Sequence, residues 1–200
     1  VTAGNGCPEG YTITRTWSAT DDCGNTGTCI QIITVDDNIA PLVTCPANVT
    51  IECTASTTPG NTGSATATDA CDATPTITFS DVTFGGLCPQ ERTITRTWAA
   101  TDDCGNTGTC QQTIVVEDNT APICAAQNIT VSVGGNGIVI VQPSQVDNGS
   151  SDNCGPVTLS LSPNTFDCTE LGENLVVLTV TDCPGNSSTC TAIVTVQEGG

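Results

Sequence analysis

The chain has 200 residues, 14 cysteines, 3% aromatic residues, no Met and no His, and a net charge of −18. Three arginines (Arg15, Arg92 and Arg96) face 21 acids, a field that repels phosphate backbones and anionic lipid heads and so excludes nucleic acid as a partner. No apolar run is long enough to span a bilayer, so membrane insertion is excluded too. The cysteines fit a secreted, extracellular or cell-surface protein stapled in an oxidising compartment. The short pairs Cys23/Cys29 and Cys104/Cys110 are C-x5-C and no CxxC occurs, which argues against zinc.

The first predicted element is a strand through Trp17, followed by the turn "DDCGNTG" and a closing strand with Cys29, Gln31, Ile33 and Val35 on one face. The sixteen residues "TRTWSATDDCGNTGTC" at 14–29 return at 95–110 with one change, Ser18 to Ala99. Cys7, Cys23 and Cys29 return as Cys88, Cys104 and Cys110, and "VDDNIAP" at 35–41 as "VEDNTAP" at 116–122. A third, diverged copy follows, with "TVTDCPGNSSTC" at 179–190. The organisation is therefore 1–38, the C-terminal half of a first repeat; 39–118, a complete repeat; and 119–198, a complete but diverged repeat. Val1 sits inside a repeat and the chain starts with neither Met nor a signal peptide, so a piece of a longer secreted chain is expected.

In the repeat at 39–118 the segment 45–53 alternates as one strand, with Cys45, Ala47, Val49, Ile51 and Cys53 on one face. The penultimate strand carries Trp98 with Ile94, Arg96 and Ala100, and the last carries Cys110, Gln112, Ile114 and Val116; their counterparts in 119–198 are Cys190, Ala192, Val194 and Val196. About eighty residues of short strands, with breaks at Gly, Asn, Asp and Pro, predict an all-β fold. It is a tandem array of immunoglobulin-like β-sandwich modules, disulfide-stapled because each core is thin. Trp17 and Trp98 read as core anchors, and Arg96 on the same face needs a carboxylate or the Trp ring. Tyr11, Phe79, Phe84 and Phe166 fall in strand patterns.

If the first and last strands of a module run parallel down one edge, Cys45 meets Cys110 and Cys124 meets Cys190. Cys88 and Cys104 flank a strand of ~25 Å, too far for a bridge that needs Cα atoms within ~7 Å. Cys71 is therefore assigned to Cys104, and Cys53 to Cys88. Ser132 stands where Cys53 would in the last repeat, so one of Cys154, Cys168 and Cys183 is left over; copying the Cys71–Cys104 pattern gives Cys154–Cys183. Cys7, Cys23 and Cys29 lack first-half partners, which upstream sequence or another chain would supply.

The acids gather at module ends. Asp36, Asp37 and Asn38 close the first module and are expected to meet Asp69, Asp72, Asp102 and Asp103 of the next. Glu117, Asp118 and Asn119 are expected to meet Asp147, Asp152 and Asp182. Carboxylates converging with almost no base nearby call for a hard cation with six to eight oxygen ligands, and calcium (Ca2+) is the expected cofactor. The bland reading is that these Asp and Asn residues form and cap turns, which serves "DDCGNTG" well and the paired acids at strand ends less well.

The stretches "APLVTCPANVTIEC", "ATDDCGNTGTC" and "TAIVTV" resemble hyaline-repeat (HYR) and HYR-like modules, found in tandem on secreted and cell-surface proteins, especially of Bacteroidetes-type bacteria. The third module, with "DNGSSDNCG" and "TFDCTELGENLVVLTVTD", is similar to a sister repeat of such arrays, which implies a Cys154–Cys168 bridge in competition with Cys154–Cys183. "DDNIAP" and "EDNTAP" are also similar to the calcium-binding linker of cadherins. The resemblance implies an immunoglobulin-like fold and a structural or adhesive role.

No catalysis is expected: no His or Lys stands ready to activate a nucleophile, and the acids recur at module ends instead of forming one cleft. The leading expectation is a structural/adhesive extracellular repeat protein forming a rigid rod, surface stalk or extracellular filament. It would self-associate through tandem or polymeric contacts, with the half-module completed by the same chain or a neighbour. The alternative is a ligand-binding adhesin module that recognises carbohydrate or protein on another surface.

Overall fold

A computed structural model describes residues 2–3, 10–135 and 137–199; Cys7 lies outside them. The fold is all-β. β1 (Thr2–Ala3), β2 (Tyr11–Thr20) and β3 (Thr26–Val35) form a three-stranded sheet in that order. Next come β4 (Leu42–Thr44), β5 (Val49–Glu52), one helical turn α1 (Pro59–Thr62) and β6 (Thr66–Thr68). β7 (Thr76–Gly85), β8 (Arg92–Thr101) and β9 (Thr107–Glu117) follow. Here β4 pairs with β6, and the larger sheet runs β5-β9-β8-β7.

The last repeat contains β10 (Ile129–Val133), β11 (Ile138–Ile140), α2 (Pro143–Val146), β12 (Thr158–Ser162) and β13 (Thr165–Asp167), then β14 (Gly172–Thr181) and β15 (Ser187–Glu198). It repeats the four-stranded sheet as β10-β15-β14-β12; the β4–β6 pair is reduced to the bridges Ile123–Ser151 and Ala126–Asp147, and a separate two-stranded sheet β11-β13 is added. β10 runs parallel to β15, with Ile129 opposite Val194 and Val133 opposite Glu198.

The alternation over 45–53 predicted one strand, but β4 ends at Thr44 and β5 starts at Val49. Pro46 has no N–H for a ladder and a fixed φ, so the chain leaves the β4–β6 pair there and resumes in the other sheet. One segment thereby serves both layers of a sandwich.

The described residues divide into two compact units, Val1–Val49 with Ser56–Thr83 and Ile94–Ile114, and Thr50–Ala55 with Phe84–Thr93 and Val115–Gly200. Each unit contains one repeat junction whole. In the first, Ile94, Trp98, Ala100 and Ile114 are buried together with two polar side chains, Arg96 and Gln112. Gln112 donates to the Ala47 carbonyl at 2.9 Å and the Thr62 carbonyl at 2.7 Å, and accepts from the Trp98 indole N–H at 3.4 Å. Arg96 does not reach out to solvent. It forms a two-pronged ion pair with Asp81, 2.8 Å on each prong, and lies over the Phe79 ring (4.4 Å) more closely than over Trp98 (5.7 Å). Trp17, expected to be a core anchor like Trp98, is instead 54% exposed, because no described segment lies over the β2–β3 face as 45–81 lies over β8–β9. The second unit is centred on Val133, Val141, Val146, Phe166, Val176, Leu178, Val180, Val194 and Val196, an apolar set with no buried arginine.

Four disulfides close between described residues. Two lie within a repeat, Cys45–Cys110 and Cys124–Cys190, tying the segments that lead into β5 and β10 to the last strands β9 and β15. The assignments Cys53–Cys88 and Cys154–Cys183 are both overturned. Cys53 bonds Cys154 and Cys88 bonds Cys183, with Cα atoms 5.9 and 5.7 Å apart. Repeats that closed on themselves would need both Cys53–Cys88 and Cys154–Cys183. Instead, Cys53 after β5 and Cys88 before β8 meet the loop before β12 and the β14–β15 turn of the following repeat. The Cys154–Cys168 pairing implied by the resemblance is excluded on the same ground, and Cys168 is an exposed thiol. Cys71–Cys104 is not among the four bridges between described residues.

The Cys45–Cys110 staple spans 65 residues, and such a bridge stabilises mainly by restricting the unfolded chain. Replacing both cysteines by serine is expected to lower stability by ~2–5 kcal/mol. An unchanged denaturation midpoint would show that the strands hold without it.

Candidate metal centre

Each junction begins with a turn that needs no partner to form. In Asp102–Asn106 the Asp102 carboxylate accepts the main-chain N–H groups of Cys104 (2.9 Å) and Asn106 (2.8 Å) and the Asn106 side-chain amide (2.9 Å). Gly105 follows with φ of 91°, a left-handed conformation that glycine adopts without strain. Asp21 binds Cys23 and Asn25 in the same way. Asp182 takes the Gly185 N–H at 2.9 Å and the Asn186 amide at 3.0 Å. The turn-forming reading therefore holds for these acids.

The turn fixes an asparagine that reaches the preceding strand end. Asn106 donates to the main-chain carbonyl of Asp37 at 3.1 Å, and Asn186 donates to that of Asp118 at 3.1 Å. Asp37 and Asp118 occupy the same place in successive repeats, and both are buried, 8% and 6% exposed. One Asp37 oxygen accepts the Ile39 N–H, and the equivalent Asp118 oxygen accepts that of Thr120. The other oxygen of Asp37, Oδ2, is buried without a hydrogen-bond partner among the described residues.

A second acid approaches from the next loop. Asp69 accepts the N–H groups of Cys71 and Asp72 through Oδ1, and atoms of Asp37, Asp69 and Cys71 lie within 4.8 Å of one another. At the other junction Asp152 accepts the Cys154 N–H at 2.6 Å while its Oδ1 is buried without a partner. Asp118, Asp152 and Cys154 cluster within the same 4.8 Å. Because Cys154 is bridged to Cys53, its sulfur is no thiolate ligand, and the donors at this junction are carboxylate oxygens.

That bridge also brings in a residue absent from the sequence-based ligand set. Glu52, next to Cys53, accepts the Thr120 hydroxyl at 2.8 Å and forms a cluster with Cys53 and Cys154. The Thr120 hydroxyl bond, aided by the Asn119 N–H, holds the Glu52 carboxyl below its ordinary range, so it stays anionic. Burial pushes Asp118 the other way, and the charges of Asp152, Asp182 and Glu52 add to the rise against the Thr120 N–H. Anions facing a buried carboxyl of this kind are what a divalent cation relieves.

The structure thus brings together Asp37 with Asp69, and Asp118 with Asp152 and Glu52. Asp72, Asp102 and Asp182 are buried nearby with their oxygens committed to turns: Asp72 to the N–H groups of Thr74 and Asp103, the other two as described above. Asp36, Asn38, Asp103 and Asn119 are exposed, and neither Glu117 nor Asp147 joins a cluster among the described residues. Asp147 is occupied with the Gly149 and Ser150 N–H groups; hydrogen bonding to Ser150 holds its carboxyl low. Orphaned buried oxygens on Asp37, close to Asp69, and on Asp152, close to Asp118, fit a hard cation such as calcium.

No family model matches the chain. Hyalin of Lytechinus variegatus is 30% identical over 211 residues, an alignment covering 94% of this chain and 37% of hyalin. The chain therefore spans little more than a third of that relative. The match is at the level of hyalin-like repeats in an animal protein, and the bacterial source expected from the resemblance is not supported. Among solved structures, human mucin-like protocadherin EC1-2 is 13% identical, with 80% of this chain and 98% of that one covered and a TM-score of 0.40. The human desmocollin-1 ectodomain is 9% identical over 95% of this chain and 47% of that one, with a TM-score of 0.31.

Proposed function

We propose that the chain is part of an extracellular structural and adhesive repeat protein whose repeats are locked to one another by calcium at each junction. The observation that carries this reading is the doubled geometry. In two successive junctions a turn asparagine grips the carbonyl of a buried strand-end aspartate, and a carboxylate oxygen nearby is left without a partner. Asp37 and Asp69 would hold the ion at one junction, and Asp118, Asp152 and Glu52 at the other, while calcium supplies the positive charge these groups lack. At the second junction the bridges Cys53–Cys154 and Cys88–Cys183 already tie one repeat to the next. Such bridges suit an oxidising, extracellular setting. The hyalin match over 94% of the chain agrees with a repeat role, and with no His or Lys in the chain we assign no catalytic one. A rod, stalk or filament follows if every junction is stiffened in this way, with self-association through further repeats.

The test is small-angle scattering with calcium and with chelator, paired with titration calorimetry. Calcium is expected to bind with a dissociation constant of ~10⁻⁴–10⁻³ M, as in many extracellular modules, and to lengthen the maximum dimension. The double variant Asp37→Asn, Asp152→Asn is expected to lose both effects. No heat of binding and an unchanged dimension would leave these acids as turn formers alone.

A further inference from the structure

The exposed face of the β2–β3 sheet has a buried twin in the same chain. Residues 14–29 and 95–110 differ at one position, and the two hairpins share their internal geometry. Trp17 donates to Gln31 at 3.4 Å as Trp98 does to Gln112 at 3.4 Å. Thr20 and Thr26 are bonded at 2.8 Å, as Thr101 and Thr107 are at 2.9 Å. Arg15 lies 5.5 Å from the Trp17 ring, and Arg96 lies 5.7 Å from that of Trp98.

Their surroundings differ completely. In the buried copy, Asp81 pairs with Arg96, the Thr57 carbonyl and Thr62 hydroxyl take two more of its N–H groups, and Phe79 packs on Trp98. The carbonyls of Ala47 and Thr62 take the Gln112 amide, and Cys45 bonds Cys110. In the first copy Arg15 has no carboxylate partner among the described residues, Cys29 is an exposed thiol, and Trp17 and Cys29 line an open hollow of about 470 Å³. Among the described residues two sheet edges are little covered as well. β1 covers only Tyr11 and Thr12 of β2, whereas β8 has the ten-residue β7 beside it; no described strand flanks the outer edge of β3, where β9 has β5.

Glycine gives an independent sign. A side chain at Gly108 would collide with the Pro41 carbonyl, because the chain leading into β4 passes directly over it. Its counterpart Gly27 faces open space in this structure, so nothing here requires glycine at that position.

We propose that the β2–β3 face binds the first half of a repeat of the kind this chain contains at 39–81, and that Cys29 seals the union with a disulfide. The occupant is specified by the chemistry of the twin: a cysteine opposite Cys29, a carboxylate for Arg15 with an aromatic ring beside it, two main-chain carbonyls for Gln31, and a strand along each open edge. The inference rests on the repeat-assembly reading above, and it makes this face the point where one repeat is completed. Sealing is oxidation of two thiols: Cys29 and the incoming cysteine lose two protons and two electrons, and oxidised glutathione becomes two molecules of reduced glutathione.

The probe is a synthetic peptide of residues 39–81 with Cys53 and Cys71 replaced by serine, added to the 200-residue chain in a glutathione buffer containing chelator. Working without calcium separates this test from the junction reading, which can fail while capture succeeds. Peptide mapping is expected to find the peptide cysteine on Cys29 and not on the exposed thiols Cys23 and Cys168. Trp17 emission is expected to shift to the blue and escape acrylamide quenching. Arg15→Ala, at an exposed position, is expected to reduce capture roughly tenfold or more, since its charge-assisted bonds are lost. Equal labelling of the three thiols, equal capture of a scrambled peptide, or a Trp17 that stays quenchable would overturn the proposal. So would sedimentation showing that two copies of the chain cover this face for each other.

Discussion

Replacing Arg96 by alanine is expected to destabilise the first unit by about 3–5 kcal/mol, among the largest effects of any single change in the chain. The guanidinium is 1% exposed and completes a set of contacts that no other residue type reproduces: both oxygens of Asp81, the Thr62 hydroxyl, the Thr57 carbonyl and the Phe79 face. Removing it opens a cavity beside Trp98 and strands the Thr57 carbonyl and Thr62 hydroxyl, and these outweigh the loss at Asp81, which is part-exposed and stays hydrated. Asp81→Ala should cost a similar amount, because it leaves a buried cation. The double replacement Arg96→Met, Asp81→Leu should recover part of the loss, since an apolar side chain can fill the buried Arg96 site, while the Asp81 side chain is 29% exposed and was never fully taken out of water. Denaturant unfolding followed by Trp98 fluorescence, in a Trp17→Phe background to silence the exposed indole, reads all four proteins. A double variant as unstable as the sum of the singles would mean that the site depends on Arg96 for shape and not for charge balance.

How far the sequence revealed this depends on the range of the signal. Alternation at Cys110, Gln112, Ile114 and Val116 marks a strand because the period-two pattern is local, and β9 is where it places it. Pro46 broke the alternation over 45–53 in a way the pattern of apolar residues did not disclose. The need of Arg96 for a carboxylate was legible, but its partner Asp81 lies fifteen positions away on a neighbouring strand, and Phe79 was not foreseen. Trp17 shows the limit of reading residues alone, since its stretch is all but identical to that of Trp98 and only the segment packed over it decides burial.

The junctions were half legible for a related reason. Acids at the strand ends and in the following loops pointed to the right neighbourhoods, and Asp37 with Asp69 and Asp118 with Asp152 do meet. Which acids converge is decided by which are already used in turns, and that depends on main-chain N–H directions invisible in the sequence. Glu52 was missed because Cys53 was assigned a partner inside its own repeat. Once Cys53 bonds Cys154, Glu52 and Asp152 both cluster with the Cys154 end of that bridge. The staple and the acid cluster are thus one feature, and reduction is expected to lower calcium affinity at this junction before it unfolds either repeat.

Asp118→Asn should stabilise the second unit in chelator and weaken it in calcium, a reversal of sign that a turn-forming aspartate would not produce. The Asp118 carboxyl is raised from its ordinary value, first by burial and then by the charges of Asp152, Asp182 and Glu52. A group raised on folding contributes stability that is fully present below its unfolded value and lost as pH rises through its folded one. At neutral pH without metal, native Asp118 is therefore a cost, and asparagine removes it while still accepting the Thr120 N–H through its amide oxygen. The advantage of the variant should shrink as pH falls through the raised folded value, where the native carboxyl takes up its proton, and be gone below 3.8, the ordinary value of the unfolded chain. Glu52 and Asp147, both held low, push total stability the other way with pH, so the quantity to follow is the difference between variant and native protein. With calcium present, one anionic ligand is lost and affinity should fall about tenfold or more, since charge count among the ligands tunes these sites. Thermal unfolding of both proteins between pH 4 and neutrality, in chelator and in millimolar calcium, gives the four curves needed. If the variant is less stable in chelator at neutral pH, the repulsion around Asp118 is too weak to hold a cation there.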